Sequence, residues 1–352
     1  MLTLAGGIAC AGLRVDLVVG KAEGDFAEQV PGNVRVFDLD APRVLATLPR
    51  LAHYLRRQRP DVLYSALDHA NMIAICARIL SRSRARVFVS VRNTLSVKVR
   101  GSHSRREQLL PAFARHVYPL ADGIVAVSEG VRRDLVQHIG LSPHLVRVMP
   151  NPVVTPQLLE LAGYDPGHAW FEPGEPPVIL AAGRLTPQKG FRTLLHAFDR
   201  VRQRHPCRLV ILGEGPERDA LETMVQRLGL EGCCDLHGFT SNPFAYMRRA
   251  RLFVLSSAWE GLPGVLIQAM ACGTAVLSTD CPSGPREILD GGRLGTLVPV
   301  ADPEALAQAM IRALQTPPDS AALIARAQDF SLDTVVRKHL GYLGLGPSRS
   351  SI

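Results

Sequence analysis

The chain has 352 residues, 47% of them hydrophobic and 20% charged, and a formal net charge of +8. That balance is ordinary for a soluble globular protein, and at roughly 100–200 residues per domain it predicts two domains. It excludes a membrane-spanning helix, since no uncharged apolar run reaches about 18 residues, and the apolar stretch 1–19 lacks the basic start of a signal peptide.

The seven cysteines are scattered, with no CxxC pair and no zinc-ligand spacing, so reduced cytosolic thiols are expected. The positive charge predicts attraction to polyanions. A nucleotide diphosphate, an anionic membrane surface and nucleic acid all satisfy that condition.

A helix-like segment at residues 3–13 comes first. Short apolar runs rich in β-branched residues then predict strands at 14–19, 34–38, 61–65, 86–91, 123–127 and 146–149. Helices are expected between them at 44–59, 70–80 and 104–120. Residues 155–177 hold Pro156, Pro166, Gly167, Pro173, Gly174, Pro176 and Pro177, and read as a linker. A second series follows, with strands at 178–182, 208–212, 234–237, 252–255, 275–278 and 295–298. Its helices are expected at 190–204, 216–228, 245–249, 265–271 and 303–315. One further helix is expected at 331–342, and residues 343–352 read as a frayed tail.

Strand–helix alternation predicts parallel sheets covered on both faces. The fold class is therefore α/β, with two doubly wound Rossmann-like domains facing a cleft. Their expected limits are 1–154 and 178–330, with 331–345 closing back on the first. Ligands of such sheets bind beyond the carboxyl ends of the strands.

Those ends carry the chemistry. In GRLTPQKG (183–190) a buried strand ends in Gly183, and Arg184 and Lys189 flank a proline turn. Arg184 suits a bidentate phosphate contact and Lys189 a point charge; a solvated loop is the plainer alternative. GEGPER (213–218) reads first as a tight strand–helix turn with Pro216 at the first helical position. EGLPGVLIQAMACG (260–273) places Glu260 before a helix that starts near Gly264, where bare N–H groups suit phosphate. Gln268 lies inside that helix. Glu260 suits sugar hydroxyls and Gln268 ribose hydroxyls, although Glu260 also fits a plain helix start. CPSGPREI (281–288) reads first as a capped helix start.

In this order, together with HGF (237–239), these motifs resemble the C-terminal half of glycosyltransferase family 4 over residues 178–300. VDLVV (15–19), RPDVL (59–63), AVSE (126–129) and FSLD (330–333) extend the resemblance more loosely. It implies a GT-B fold and a retaining hexosyltransferase that uses a nucleotide-sugar, with no cofactor and no catalytic metal. It implies catalytic roles for Glu260, Arg184 and Lys189, the cations offsetting charge on the leaving diphosphate. It implies donor binding at Gly183, Arg184, Lys189, Gly213, Phe239, Glu260, Gly261, Leu262, Pro263, Gly264, Val265 and Gln268. A uridine nucleotide is the expected donor base.

Two departures stand out. Gln268 occupies the second position of the family's pair of acids. The family's first strand and glycine-rich loop have no counterpart before residue 3, so the first strand of the N-terminal domain is expected to be missing.

In the first half, His69, Arg92 and Asn93 follow predicted strands and form the expected acceptor side. Lys98, Arg100, Arg105 and Arg106 read as a solvated basic face or as a dock for anionic lipid head groups. The expected acceptor is a cell-surface glycan or a lipid-linked glycan, with the enzyme cytoplasmic or peripheral at the inner membrane face. The alternatives are a non-catalytic nucleotide-sugar-binding relative and a sugar-nucleotide epimerase of the same fold. Nucleic acid is not expected as a partner, because no helix-turn-helix, zinc or RNA-reading aromatic pattern is present.

Overall fold

The computed structural model describes residues 1–22, 30–100, 108–316 and 318–346, with backbone alone at 98–100. The basic run of Lys98, Arg100, Arg105 and Arg106 therefore lies outside the described side chains. So do residues 104–107 of the expected helix 104–120 and residues 347–352 of the tail. The chain divides into two compact units, Met1–Pro152 with Leu332–Ile352, and Val153–Ser331.

The first unit holds β1 (Asp16–Val19), β2 (Arg35–Asp38), β3 (Val62–Ala66), β4 (Arg86–Val91), β5 (Gly123–Ala126) and β6 (Val146–Val148). All pair in parallel, as a four-stranded sheet β3-β4-β5-β6 and a separate pair β1-β2. Val87, Val89, Val91, Ile124 and Val125 are fully buried, which is why β4 and β5 read as continuous apolar runs. Val18 of β1 and Leu63 of β3 pack on one cluster formed by Leu51, Tyr54, Leu55 and Ala77. Even so, β1 and β3 each have a strand partner on one edge only among the described residues. The chain's first element is the helix Leu2–Cys10, and Gly7 lets it approach the closing helix Leu332–Leu343. A Cβ on Gly7 would lie 2.6 Å from Val336.

Asp16 ties β1 to its surroundings. It accepts from Arg35 Nε at 2.8 Å and from Tyr54 Oη at 2.6 Å. Partial burial works to raise its pKa, but the bonds from Arg35 and Tyr54 prevail and hold it below the usual carboxylate value.

The second unit is a six-stranded parallel sheet of β7 (Val178–Ala182), β8 (Arg208–Leu212), β9 (Cys234–Gly238), β10 (Leu252–Leu255), β11 (Ala275–Thr279) and β12 (Thr296–Val298). Its order is β12-β11-β10-β7-β8-β9. Leu180, Val210, Phe253 and Val276 face one core cluster, and Ile179, Leu209, Ile211, Leu252 and Leu277 face the other. Both faces of the sheet are thus covered. The chain winds outward from β7 through β8 to β9, then returns to start β10 on the other side of β7. Loops leaving β7 and β10 consequently diverge at a topological switch point, where sheets of this kind form a crevice.

Residues 155–177 are not a free linker. Thr155 caps the helix Pro156–Ala162 by accepting from the Leu158 N–H, and Pro156 sits at its first position. Leu158 and Ala162 are buried in the sheet's core. Farther on, His168 Nδ1 accepts from the Trp170 N–H, so Nε2 carries the proton and donates to Asp235 at 3.0 Å. His237 Nδ1 lies 3.1 Å from the same oxygen of Asp235, and Tyr246 Oη lies 2.8 Å from His237 Nε2 and donates to Pro166 O at 3.3 Å. His168, Asp235 and His237 are the group of metal-type ligands that converges among the described residues. These bonds engage all three side chains and fasten the segment to β9. Proline and glycine density marked irregular backbone correctly but said nothing of what that backbone touches.

Smaller differences concern helix limits. The helix after β8 is Arg218–Arg227, so Pro216 precedes it, and the helix Ser320–Ala327 was not expected. Among the described residues no helix is long and apolar enough to cross a membrane. Leu158→Ala should lower stability by about 2–5 kcal/mol, as for a core leucine. Urea unfolding measures this, and a loss near zero would restore the linker reading.

Candidate active site

The switch point brings together two loops, 183–190 after β7 and 256–263 after β10. They are laced by backbone and side chains. Ser256 Oγ donates to Lys189 O at 2.8 Å, the Ala258 N–H to Gln188 O at 2.8 Å, and Gln188 Nε2 to Trp259 O at 2.9 Å. Gly190 has φ +64°, and a Cβ there would lie 2.2 Å from Ser256 O, so glycine is required. A Cβ on Gly213 would likewise lie 2.1 Å from Gly183 O.

At the centre, Lys189 Nζ donates to Glu260 Oε1 at 2.6 Å, and Ser257 Oγ donates to the same oxygen at 2.7 Å. The two charged side chains are only 17% and 8% exposed. The backbone of Glu260 is held on both sides: its N–H donates to Pro282 O at 2.7 Å, and the Ser283 N–H donates to its carbonyl at 3.0 Å. Thr279 Oγ1 donates to Ser257 O at 2.6 Å, fixing the residue that orients the carboxylate. Burial, together with the nearby Glu260 charge, pushes the Cys281 thiol up to about 12, which makes it a packing group and not a nucleophile.

The helix Gly264–Ala271 starts beside this pair with no side-chain cap. Among the described residues the N–H groups of Gly264 and Val265 find no partner in the chain, so they point a positive end at the crevice. Among the described residues, Gln268, half-buried in the same helix, has no side-chain partner, and the exposed Arg184 makes no ion pair. Gly261 and Pro263 are buried beneath the loop with Leu262 half-buried, and Phe239 stands 79% exposed just past β9. The donor residues expected from sequence thus all belong to the second unit and lie at or just past the carboxyl ends of its strands.

His69, Arg92 and Asn93 belong to the first unit, past the carboxyl ends of the adjacent strands β3 and β4. His69 and Asn93 are exposed; Arg92 is half-buried, and its Nη2 donates to Asn151 Oδ1 at 3.1 Å. Sequence reasoning did not single out Ser257 and Thr279. The one available signal was a hydroxyl three residues before the acid expected in the cleft. It also expected Lys189 to face a ligand, whereas in the structure the ammonium is engaged by Glu260.

Two family models match the chain: Glycosyltransferase Family 4 over residues 1–156, and Glycosyl transferases group 1 over residues 168–330. The chain is 29% identical over 257 residues to an uncharacterized glycosyltransferase of Methanocaldococcus jannaschii, covering 70% of this chain and 62% of that one. It is 32% identical over 251 residues to a Campylobacter jejuni N-acetylgalactosamine-N,N'-diacetylbacillosaminyl-diphospho-undecaprenol 4-alpha-N-acetylgalactosaminyltransferase, covering 71% and 66%. The matched part therefore spans just under two thirds of these relatives' lengths. In fold, it resembles a glycosyltransferase of Rickettsia africae (TM-score 0.79, 15% identity, 97% of this chain and 92% of that one). It also resembles HepE of Anabaena in complex with UDP and glucose (TM-score 0.77, 21% identity, 97% and 95%). Both units are Rossmann-like, as in GT-B enzymes.

Gly190→Ala should cost about 1–3 kcal/mol from the left-handed backbone alone, with more from the collision at Ser256. A thermal midpoint equal to that of the parent chain would contradict the close approach.

Proposed function

Because the chain belongs to the family 4 glycosyltransferases, we propose that it moves a hexose from a nucleotide-diphosphate donor, a UDP-sugar, onto a glycan or lipid-linked acceptor in polysaccharide biosynthesis. The observation that carries this reading is the Lys189–Glu260 pair, pinned at the switch point beside a bare helix start. Donor phosphates suit that helix start and the free guanidinium of Arg184. Their arrival offers Lys189 a second anion. Glu260 keeps Oε1 on Ser257 and has Oε2 for the sugar's hydroxyls. Gln268, with a free amide, suits the ribose hydroxyls, and the exposed ring of Phe239 suits a donor contact.

Catalysis follows from where charge grows. As the bond between sugar and diphosphate breaks, negative charge builds on the leaving phosphate. Arg184, Lys189 and the N–H groups of Gly264 and Val265 oppose it and favour the transition state over the bound donor. No metal or cofactor is needed in this scheme. Transfer with retained anomeric configuration is part of the proposal. The acceptor side is read at His69, Arg92 and Asn93, with the enzyme cytoplasmic and peripheral at an anionic membrane face. The UDP complexed with HepE and the lipid diphosphate named for the Campylobacter relative support this choice of donor and acceptor.

UDP at one hundred times its Kd should stabilise the chain by about 2.7 kcal/mol, read as a rise in thermal midpoint. Lys189→Ala should abolish the rise, and Glu260→Ala should remove transfer while UDP still binds. A folded chain that shows no midpoint shift with UDP or any other nucleoside diphosphate would refute the donor assignment. Release of free sugar or an epimer in place of transfer would favour the epimerase reading.

A further inference from the structure

Arg92 is a cation in need of an anion. It lies just past β4 in the first unit, and burial lowers its pKa. Its guanidinium makes the single bond to Asn151, and no Asp or Glu among the described residues pairs with it. Its Nε is buried without a partner, and so are Thr94 Oγ1 and Asn71 Oδ1, while Ser90 Oγ lies against the Tyr64 hydroxyl. Ser90, Thr94 and Asn71 are 1%, 3% and 0% exposed. Unpaired buried polar atoms are rare, and a set of three in one region of the fold needs an explanation. Nearby His339 donates from Nδ1 to Val335 O, and burial lowers its pKa, so it favours the neutral ring and adds no second positive charge beside Arg92.

Charge across the chain fits the same need. The first unit has 24 Lys and Arg against 13 Asp and Glu, a net of +11; the second has 16 against 19, a net of −3. The whole positive excess lies in the unit read as the acceptor side. An ordinary structural arginine would instead sit in a balanced region with its donors used.

We propose that Arg92 and Thr94 form an anion site for a phosphate or diphosphate group carried by the acceptor. Arg92 Nε and the Thr94 hydroxyl are donors, which suits phosphate oxygens. Asn71 Oδ1 is an acceptor, which suits a sugar hydroxyl next to that phosphate. The substrate class is a phosphorylated glycan or a lipid-diphosphate glycan, and the site rests on the acceptor reading of the first unit.

The test is binding of inorganic pyrophosphate to the full chain saturated with UDP, measured by calorimetry for the parent, Arg92→Met and Arg92→Lys. Arg92→Met should weaken pyrophosphate binding at least tenfold, and Arg92→Lys should fall between. UDP affinity should change less than twofold. The thermal midpoint of Arg92→Met should hold or rise, because an uncompensated buried charge has been removed. A drop in midpoint would make Arg92 a structural link to Asn151 and overturn the proposal, as would unchanged pyrophosphate affinity. If UDP itself fails to bind, the donor reading fails separately, and pyrophosphate is then titrated into an Arg184→Ala, Lys189→Ala chain. Competition by a short-chain prenyl diphosphate supports a lipid source, competition by a sugar phosphate a soluble one, and competition by neither overturns the site.

Discussion

A carboxylate taken out of water must be matched by a cation and by hydrogen bonds, and the second unit is arranged around that requirement at Glu260. Leaving such a pair half made is strongly unfavourable, typically about 3–5 kcal/mol when one partner is removed. Lys189 and Glu260 come from loops on opposite sides of the switch point, so their pairing joins the two directions in which the sheet is wound. The glycine at 190, the hydroxyls of Ser256 and Ser257, and the backbone bonds of Glu260 all serve to bring that contact to 2.6 Å. Folding and chemistry are therefore coupled at this point. The pair joins the two loops beside the bonds from Ser256, Gln188 and Ala258, at the place proposed for the ligand's charge.

The two units treat their key cations in opposite ways. Lys189 has an acid partner and two neighbouring loops that assume its presence. Arg92 has one neutral partner and is surrounded by polar atoms with none. The first arrangement keeps a site stable while it is empty. The second leaves polarity unmet, which is unfavourable for the empty chain and favourable for a bound anion. Native structures hold such local conflicts mainly where function requires them.

Much of this was legible in the sequence because burial on both faces leaves an unmistakable trace. Runs such as Val178–Ala182 and Leu252–Leu255 are apolar at every position since each face of the sheet meets a core. The candidate site residues were chosen through punctuation: glycines and prolines after those runs marked the strand ends, and the charges among them followed. What stayed hidden depends on contacts far apart in the chain. The docking of residues 155–177 rests on His168 meeting Asp235, 67 residues away. The Lys189–Glu260 bond spans 71 residues, so either side chain alone looked like a ligand contact waiting for its ligand. Ser257 was overlooked for a related reason, since a serine gains meaning there only once the carboxylate is known to be buried.

The engaged state of Lys189 also constrains how a donor would act. A diphosphate entering the crevice cannot simply add to a free ammonium, because Glu260 already holds it. It must compete, and it does so with more oxygens and more charge than one carboxylate. Arg184 and the bare N–H groups at Gly264 and Val265 make that competition favourable by attracting the same phosphates without breaking any bond in the chain. As Lys189 turns toward phosphate, Glu260 loses one donor but keeps Ser257, which holds the carboxylate in place instead of letting it swing after the lysine. A hydroxyl on the sugar is then the natural replacement for the donor that was lost. Under the donor reading proposed above, the pair would act as a coupling device: phosphate on one member would create the vacancy that the sugar fills on the other. A nucleoside diphosphate without its sugar would engage only the first half.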